Sequence, residues 1–116
     1  MKKIIPNSFN VGGIKMNVNI VDKLPDGILG NCCLAKSTVN IARTYMDSDG
    51  IYKQSEESMT NTFYHELTHN ILDTMAEFDL SKNEKFVSTF SSFLNEALGS
   101  MQFDEENNIK KRYNVE

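Results

Sequence analysis

The hydrophobic period of this chain changes once, from two residues in the first half to three or four residues after Glu56. In residues 14–21 apolar and polar side chains alternate, which predicts a strand with one side on a core and the other in water. After Glu56 the apolar side chains recur at the spacing of one face of a helix. The members of this stripe are Met59, Phe63, Leu67 and Ile71. Strands followed by helices favour an α+β fold with a small, mostly antiparallel sheet.

The sheet is predicted to have about three strands. The turn residues Pro25-Asp26-Gly27 separate the first strand from two further runs with strand-like composition, Leu29 to Ala35 and Thr38 to Ala42. Two positions are open for a fourth strand, near Ile4 or near Tyr52.

Two packed helices are predicted to follow the sheet. The first begins at Glu56, with Ser55 as its N-cap. The second runs from Lys82 to about Met101 after a short connector, roughly Glu77 to Ser81. Its expected core face consists of Phe86, Val87, Phe90, Phe93, Leu94, Ala97 and Leu98. The length predicts one domain over 1–116, with 102–116 as a loosely docked or frayed tail.

Charge and composition exclude several classes of protein. Twelve basic and sixteen acidic residues give a net charge of −4, with no basic cluster beyond Lys110-Lys111-Arg112, which argues against a nucleic-acid partner. No apolar run approaches the roughly 20 residues that cross a bilayer, so no membrane partner is expected. Cys32 and Cys33 are adjacent, which disfavours a disulfide between them. We therefore expect a cytoplasmic protein of unknown oligomeric state.

The segment His65-Glu66-Leu67-Thr68-His69 lies inside the first predicted helix. Residues four apart share one side of a helix about 6 Å from each other, so both imidazoles can reach one ion. Neutral imidazole is a preferred ligand of zinc. Glu66 lies about 100° around the helix from His65, where it can contact a water molecule without binding the ion. The pattern predicts a zinc site with Glu66 as general base; the alternative is two surface histidines beside a solvated glutamate.

This motif resembles that of the zincin metallopeptidases, in which the two histidines bind zinc and the glutamate is the catalytic base. The metzincin branch would need a glycine and a histidine where this chain has Leu72 and Met75. The gluzincin branch is more similar, because its thermolysin-like members take a third ligand from a glutamate on the next helix. The resemblance covers residues 62 to about 94, and small phage-encoded metallopeptidases and minigluzincins are similar in size and layout. It implies His65, His69 and Glu84 as zinc ligands.

Three carboxylates are candidates for the third zinc ligand. Glu84 follows Asn83, as the resemblance requires, but Ser81 to Glu84 also has the form of a capping box, in which Glu84 would bond the Ser81 amide. Glu77 and Asp73 are the other candidates. Asp73 has two further interpretations, as an acceptor for the N–H of an imidazole or as a surface acid near the helix end.

The chain departs from the thermolysin-like pattern at two points. Ser88 stands where those enzymes have an aspartate that supports the first histidine, and the chain contains no third histidine. Three tyrosines could supply a hydroxyl to an oxyanion, although packing alone is the favoured explanation for each of them: Tyr45, Tyr52 and Tyr113. A cysteine at the open position of zinc could keep the enzyme latent, with Cys32 and Cys33 as candidates.

Three functions are compatible with these observations. The first is a zinc-dependent peptidase acting on a peptide or protein, whose extended substrate would lie along an edge strand near Val39 to Ala42, as in zincins. The second is a binding or regulatory module of phage type that retains zinc without efficient hydrolysis. The third is a small interaction protein without metal. Metal content and peptide cleavage distinguish the three.

Overall fold

The computed structural model describes residues 5–103. Its strands are β1 (Ser8–Val11), β2 (Ile14–Val21), β3 (Gly30–Cys33), β4 (Thr38–Ala42), β5 (Thr44–Asp47) and β6 (Gly50–Lys53). Its α helices are α1 (Glu56–Thr74), α2 (Phe78–Lys82) and α3 (Glu84–Ser100). This order confirms the predicted α+β class. The tail predicted over 102–116 lies outside the described residues from position 104 onward.

The first four strands form one sheet in the order β1-β2-β4-β3. The outer pairs, β1 with β2 and β3 with β4, are antiparallel, whereas β2 and β4 run parallel. In this register Val39 of β4 lies between Val18 of β2 and Cys32 of β3. The prediction that Val39 to Ala42 form an edge strand is therefore wrong, because β4 has hydrogen-bonded neighbours on both sides.

Two strands form a separate antiparallel hairpin, β5 with β6. Tyr45 pairs with Tyr52 across it, with ring centroids 5.7 Å apart. The strand expected near Tyr52 therefore exists, but it belongs to this hairpin and not to the four-stranded sheet. The other candidate region, around Ile4, falls outside the described part of the chain, and the additional strand of the main sheet begins at Ser8.

The first helix begins where the sequence predicts, with the hydroxyl of Ser55 accepting the amide hydrogen of Ser58 at 3.0 Å. It ends in a chain reversal: Ala76 adopts a left-handed conformation with φ of 62°, and the Glu77 amide donates to the Leu72 carbonyl at 2.8 Å. The predicted connector is itself a short helix, α2, which runs back beside α1 before α3 begins.

The core lies between the sheet and α1. Four buried side chains form its centre: Met16, Val39, Ile41 and Phe63. The ring of Phe9 on β1 meets Phe63 on α1 edge to face, with centroids 5.7 Å apart. Among the described helices, none is long and apolar enough to cross a bilayer.

The predicted core face of the second helix is largely wrong. Val87 is fully buried in α3, but Phe86, Phe90 and Phe93 are 36%, 47% and 66% exposed. The reason is geometric: α1 covers the side of α3 that carries Val87 and Ser91, and the three aromatic side chains are centred about 110° around the helix from that side.

Candidate metal centre

The two histidines of α1 lie side by side on its surface, with ring centroids 5.0 Å apart. Their side chains are only 25% and 19% exposed, for His65 and His69 respectively. Burial, and then the neighbouring His69, lower the pKa of His65 below its usual value. Lowering this pKa favours the neutral imidazole, which is the form that binds a metal.

The carboxylate of Glu84, the first residue of α3, lies against both imidazoles. Its Oε1 atom is 3.2 Å from Nε2 of His65, and its Oε2 atom is 3.4 Å from Nε2 of His69. The three residues offer ligand atoms that all lie within 4.8 Å of one another. The structure thus brings Glu84 to the histidine pair, and it places neither Glu77 nor Asp73 in this group.

The distances around Glu84 fit a tetrahedral ion. With metal–nitrogen and metal–oxygen distances of about 2.0–2.1 Å, neighbouring ligand atoms of a zinc tetrahedron are about 3.3 Å apart. The two distances from Glu84 to the imidazoles are close to this value. Two nitrogens and one carboxylate are also a donor set that zinc uses in catalytic sites, with a fourth position left for water or substrate.

Ser81 in α2 contacts the ring of His69 at Nδ1, whereas Glu84 lies beside Nε2 of the same ring. The buried hydroxyl of Ser81 lies 3.0 Å from Nδ1 of His69. When Nδ1 carries the proton and donates to this hydroxyl, Nε2 presents a lone pair toward the Glu84 carboxylate. Two acceptors at this distance repel each other unless a proton or a cation lies between them, and a metal ion meets that requirement.

The contact of Ser81 changes two interpretations of the sequence. The capping box from Ser81 to Glu84 is wrong, because the N-cap of α3 is Asn83, whose side chain accepts the Phe86 amide hydrogen at 3.1 Å. Glu84 is thereby left for the histidines. One interpretation of Asp73 was an acceptor for the N–H of an imidazole. At His69 the hydroxyl of Ser81 takes this place, because it pairs with Nδ1.

Glu66 points from α1 toward the sheet and is 8% exposed. Burial, and secondarily the charge of Glu84, raise its pKa to about 7. A carboxylate with a pKa near neutrality can both accept and return a proton at physiological pH. The electrostatics of this position therefore suit the role of general base.

Gly30 at the start of β3 allows α1 to approach the sheet at Glu66. A Cβ atom on this glycine would lie 2.6 Å from Cγ2 of Thr62 and 3.4 Å from Cγ of Glu66. The absence of a side chain therefore places the backbone of β3 directly beside the buried carboxylate. Within the described chain, β3 pairs with β4 on one side only, so its other edge is open beside Glu66.

Gln54, which immediately precedes the N-cap of α1, fixes this arrangement. Its amide nitrogen donates to the carbonyls of Ala42, at 2.6 Å, and Leu29, at 3.3 Å. Its amide oxygen accepts from the hydroxyls of Ser58, at 2.6 Å, and Thr62, at 3.0 Å. One buried side chain thus links the two strands β3 and β4 to the first turns of α1. The roles of Gln54, Ser81 and Gly30 could not be predicted from the sequence, because their contacts join residues that no local pattern connects.

The remaining candidate residues are tyrosines and cysteines. Tyr45 and Tyr52 pack on each other in the β5–β6 hairpin, and Tyr113 lies outside the described residues. The thiol of Cys32 contacts the side-chain nitrogen of Asn70 at 3.8 Å, and burial raises its pKa to about 11. Among the described residues, neither Cys32 nor Cys33 belongs to the group of side chains that could hold a metal ion, so the structure does not bring a cysteine to the open position of zinc.

Comparisons of this chain with protein-family models, with curated proteins and with solved structures find no match.

Proposed function

We propose that this chain is a zinc-dependent metallopeptidase of the gluzincin type, with His65, His69 and Glu84 as metal ligands and Glu66 as general base. One observation carries the proposal: a carboxylate from a second helix lies 3.2 and 3.4 Å from the two imidazoles, at the spacing of zinc ligands. The sequence motif supplies the two histidines, and the position of Glu84 beside both of them supports it as the third ligand.

The chemistry divides between the ion and the protein. Zinc held by His65, His69 and Glu84 would supply a Lewis acid, which lowers the pKa of a bound water molecule and polarises a carbonyl group. Glu66 accepts a proton from the attacking water and delivers it to the amine that leaves. Its buried position and its pKa of about 7 support both transfers. Ser81 keeps the ring of His69 in a fixed orientation through Nδ1.

The substrate is proposed to bind as an extended peptide along the open edge of β3. This edge replaces the strand from Val39 to Ala42, which lies inside the sheet. Gly30 of β3 is close to the side chain of Glu66, so a peptide that pairs with β3 would carry a backbone carbonyl past the general base. The substrate class is therefore a peptide or an unfolded segment of a protein.

The test combines metal analysis with a peptide-cleavage screen. The purified wild type should hold about one zinc per chain and cleave members of a peptide library, because structural and catalytic zinc sites bind tightly. Glu66→Gln should keep the zinc and lose at least about 10³-fold in turnover. Glu57→Gln, an exposed change in the first turn of the same helix, is the matched control and should retain activity. Turnover by Glu66→Gln at the control level would refute the assigned role.

The groups that surround the two histidine ligands favour a second function. Nδ1 of His69 faces a neutral hydroxyl, and Ser88 is exposed where thermolysin-like enzymes have an aspartate. A neutral partner raises the basicity of an imidazole less than a carboxylate does. A module that retains zinc but does not hydrolyse peptides would show full zinc occupancy with no cleavage in the same screen.

A further inference from the structure

Within residues 5–103, the third helix has one buried side and one exposed aromatic side. Val87 and Ser91 are fully buried against α1. A second face, centred about 110° around the helix from Val87 and Ser91, carries Phe86, Phe90 and Phe93 at spacings of four and three residues, and all three are at least 36% exposed. The rings of Phe86 and Phe90 are stacked, with centroids 5.8 Å apart and planes 11° apart. We call these three residues the aromatic stripe.

A groove of about 440 Å³ runs along the aromatic stripe. It is lined by Asn83, Lys85, Phe86, Thr89, Phe90 and Phe93. Three neighbouring exposed rings on one helix form a contiguous apolar surface, and such surfaces usually mark an interface with another molecule. The chemistry that suits this groove is a second apolar helix face, because the stripe follows the helix for two turns.

The charges beside the aromatic stripe indicate which helix fits it. Lys85 and Glu96 are exposed on the same flank of the stripe, near its two ends. Their midpoint along the helix lies beside Phe90. When two copies of such a helix pack antiparallel about a two-fold axis, residues on the same flank meet across the interface. Lys85 of each copy then lies opposite Glu96 of the other, which gives two complementary ion pairs.

We propose that this protein forms a homodimer in which α3 packs antiparallel on α3 of a second copy through the aromatic stripe. The two-fold axis passes near Phe90, so that Phe86 of one copy packs near Phe93 of the other. The interface is isologous: the same surface, with one apolar centre and charges of both signs at its ends, serves both partners.

The proposed dimer leaves the candidate metal centre open. Glu84 belongs to the side of α3 that faces the histidines, about 160° around the helix from Phe86. The proposal therefore does not depend on zinc binding or on hydrolysis, and its test needs neither.

Sedimentation velocity of the full-length chain measures the association directly. The wild type should sediment as a dimer at micromolar concentrations. Phe90→Glu places charges at the two-fold axis and should weaken the dimer at least about 10-fold, as expected at the centre of an interface. Phe78→Glu is the matched control, because Phe78 is also an exposed aromatic residue, 55% exposed, but lies in α2 outside the stripe. A monomeric wild type, or equal weakening by both variants, would overturn the proposal.

Charge reversal tests the antiparallel arrangement without changing the aromatic stripe. Lys85→Glu creates two like-charge contacts with Glu96 and should weaken the dimer about 3- to 10-fold at low salt, with a smaller effect at high salt. The double variant Lys85→Glu with Glu96→Lys exchanges the signs and should restore wild-type association. Both positions are exposed, so the fold should tolerate these changes. A double variant as weak as Lys85→Glu, or a stripe covered within a monomer, would show that α3 does not pair in this way.

Discussion

The helices α1 and α3 differ in which side chains they bury and which they expose. α1 buries a series of polar side chains: Thr60, Thr62, Glu66, Thr68 and Asn70. α3 exposes three phenylalanines and buries Val87 and Ser91. The difference follows from their neighbours, because α1 contacts strands β1, β3 and β4 as well as both other helices, whereas the main contacts of α3 within the described chain are with α1 and α2. Burial is therefore determined by position in the fold more than by residue type.

The buried polar groups of α1 are mostly satisfied within the helix or by Gln54. The hydroxyls of Thr60 and Thr68 donate to carbonyls four residues earlier, both at 2.8 Å. Thr62 donates to Gln54. Among the residues that the structure describes, the buried side-chain oxygen of Asn70 has no hydrogen-bond partner. A helix that buries this many polar groups makes fewer apolar contacts with the sheet. In α1 these buried groups include Glu66, a carboxylate of raised pKa beside β3.

The largest effect is expected from removing the one charge that α3 contributes to the site. Glu84→Ala should weaken zinc binding at least about 100-fold, beyond the 10- to 100-fold typical of residues that only support a ligand. The matched control is Glu77→Ala, since Glu77 is an exposed carboxylate on the same connector and lies outside the ligand group. Competition with a chromogenic chelator measures both affinities. Equal affinities for the two variants would remove Glu84 from the ligand set.

The fold was predictable where a pattern is local. The alternation in residues 14–21 predicted β2 with the observed bounds, and the run from Thr38 to Ala42 predicted those of β4. The start of α1 at Glu56 with Ser55 as N-cap is also confirmed. In each case neighbouring residues alone determine the backbone conformation.

The order of the strands and the exposure of α3 were not predictable in this way. Placing β4 inside the sheet depends on the parallel pairing with β2, which no residue in either strand indicates by itself. An apolar stripe at helical spacing indicates that something covers it, and the sequence does not say whether that partner is α1 or another molecule.

The residues of the candidate site also differ in whether a local sequence pattern could predict their positions. The spacing of His65 and His69 within one helix predicted their proximity. Glu84 required a resemblance to a known family, because it reaches the histidines only through the reversal at Ala76 and the short helix α2. The contact of Ser81 with His69 could not be predicted, since nothing in residues 78–82 marks a hydroxyl that will contact a ring twelve residues earlier.

The next largest effect concerns the buried carboxylate of α1 in metal-free protein. Folding raises the pKa of Glu66 from 4.5 to about 7, so the folded chain holds a proton that the unfolded chain has released. The free energy of unfolding should therefore decrease as the pH rises from about 4.5 to 7, by on the order of 2 kcal/mol. Urea unfolding in EDTA measures this slope.

Two variants assign the pH slope to its causes. Glu66→Gln should remove it, because the glutamine does not titrate. Glu84→Gln should reduce it only in part, since burial is the larger cause and the charge of Glu84 the smaller one. A stability that rises with pH over this window in the wild type would contradict the assignment to Glu66.

A somewhat smaller effect is expected where α1 approaches the sheet. Gly30→Ala should lower the free energy of unfolding by about 1–2 kcal/mol, because the new methyl group would overlap Cγ2 of Thr62. Thr62→Ser removes that methyl group and keeps the hydroxyl that donates to Gln54. The double variant should therefore recover part of the loss when measured by urea unfolding. No recovery would mean that the carbonyl of Asn40, 3.0 Å from the new atom, determines the strain.

The smallest effect is expected at the hydroxyl behind His69. Ser81→Ala removes the contact with Nδ1 and should weaken zinc binding about 10-fold, at the low end of the range for supporting residues because the group is neutral. Ser91→Ala is the matched control: Ser91 is also fully buried, but its hydroxyl donates at 3.2 Å to the carbonyl of Ser88 on α3. Chelator competition should separate the two variants. If both bind zinc as the wild type does, the ring of His69 is oriented by packing alone, and the hydroxyl of α2 has no part in the site.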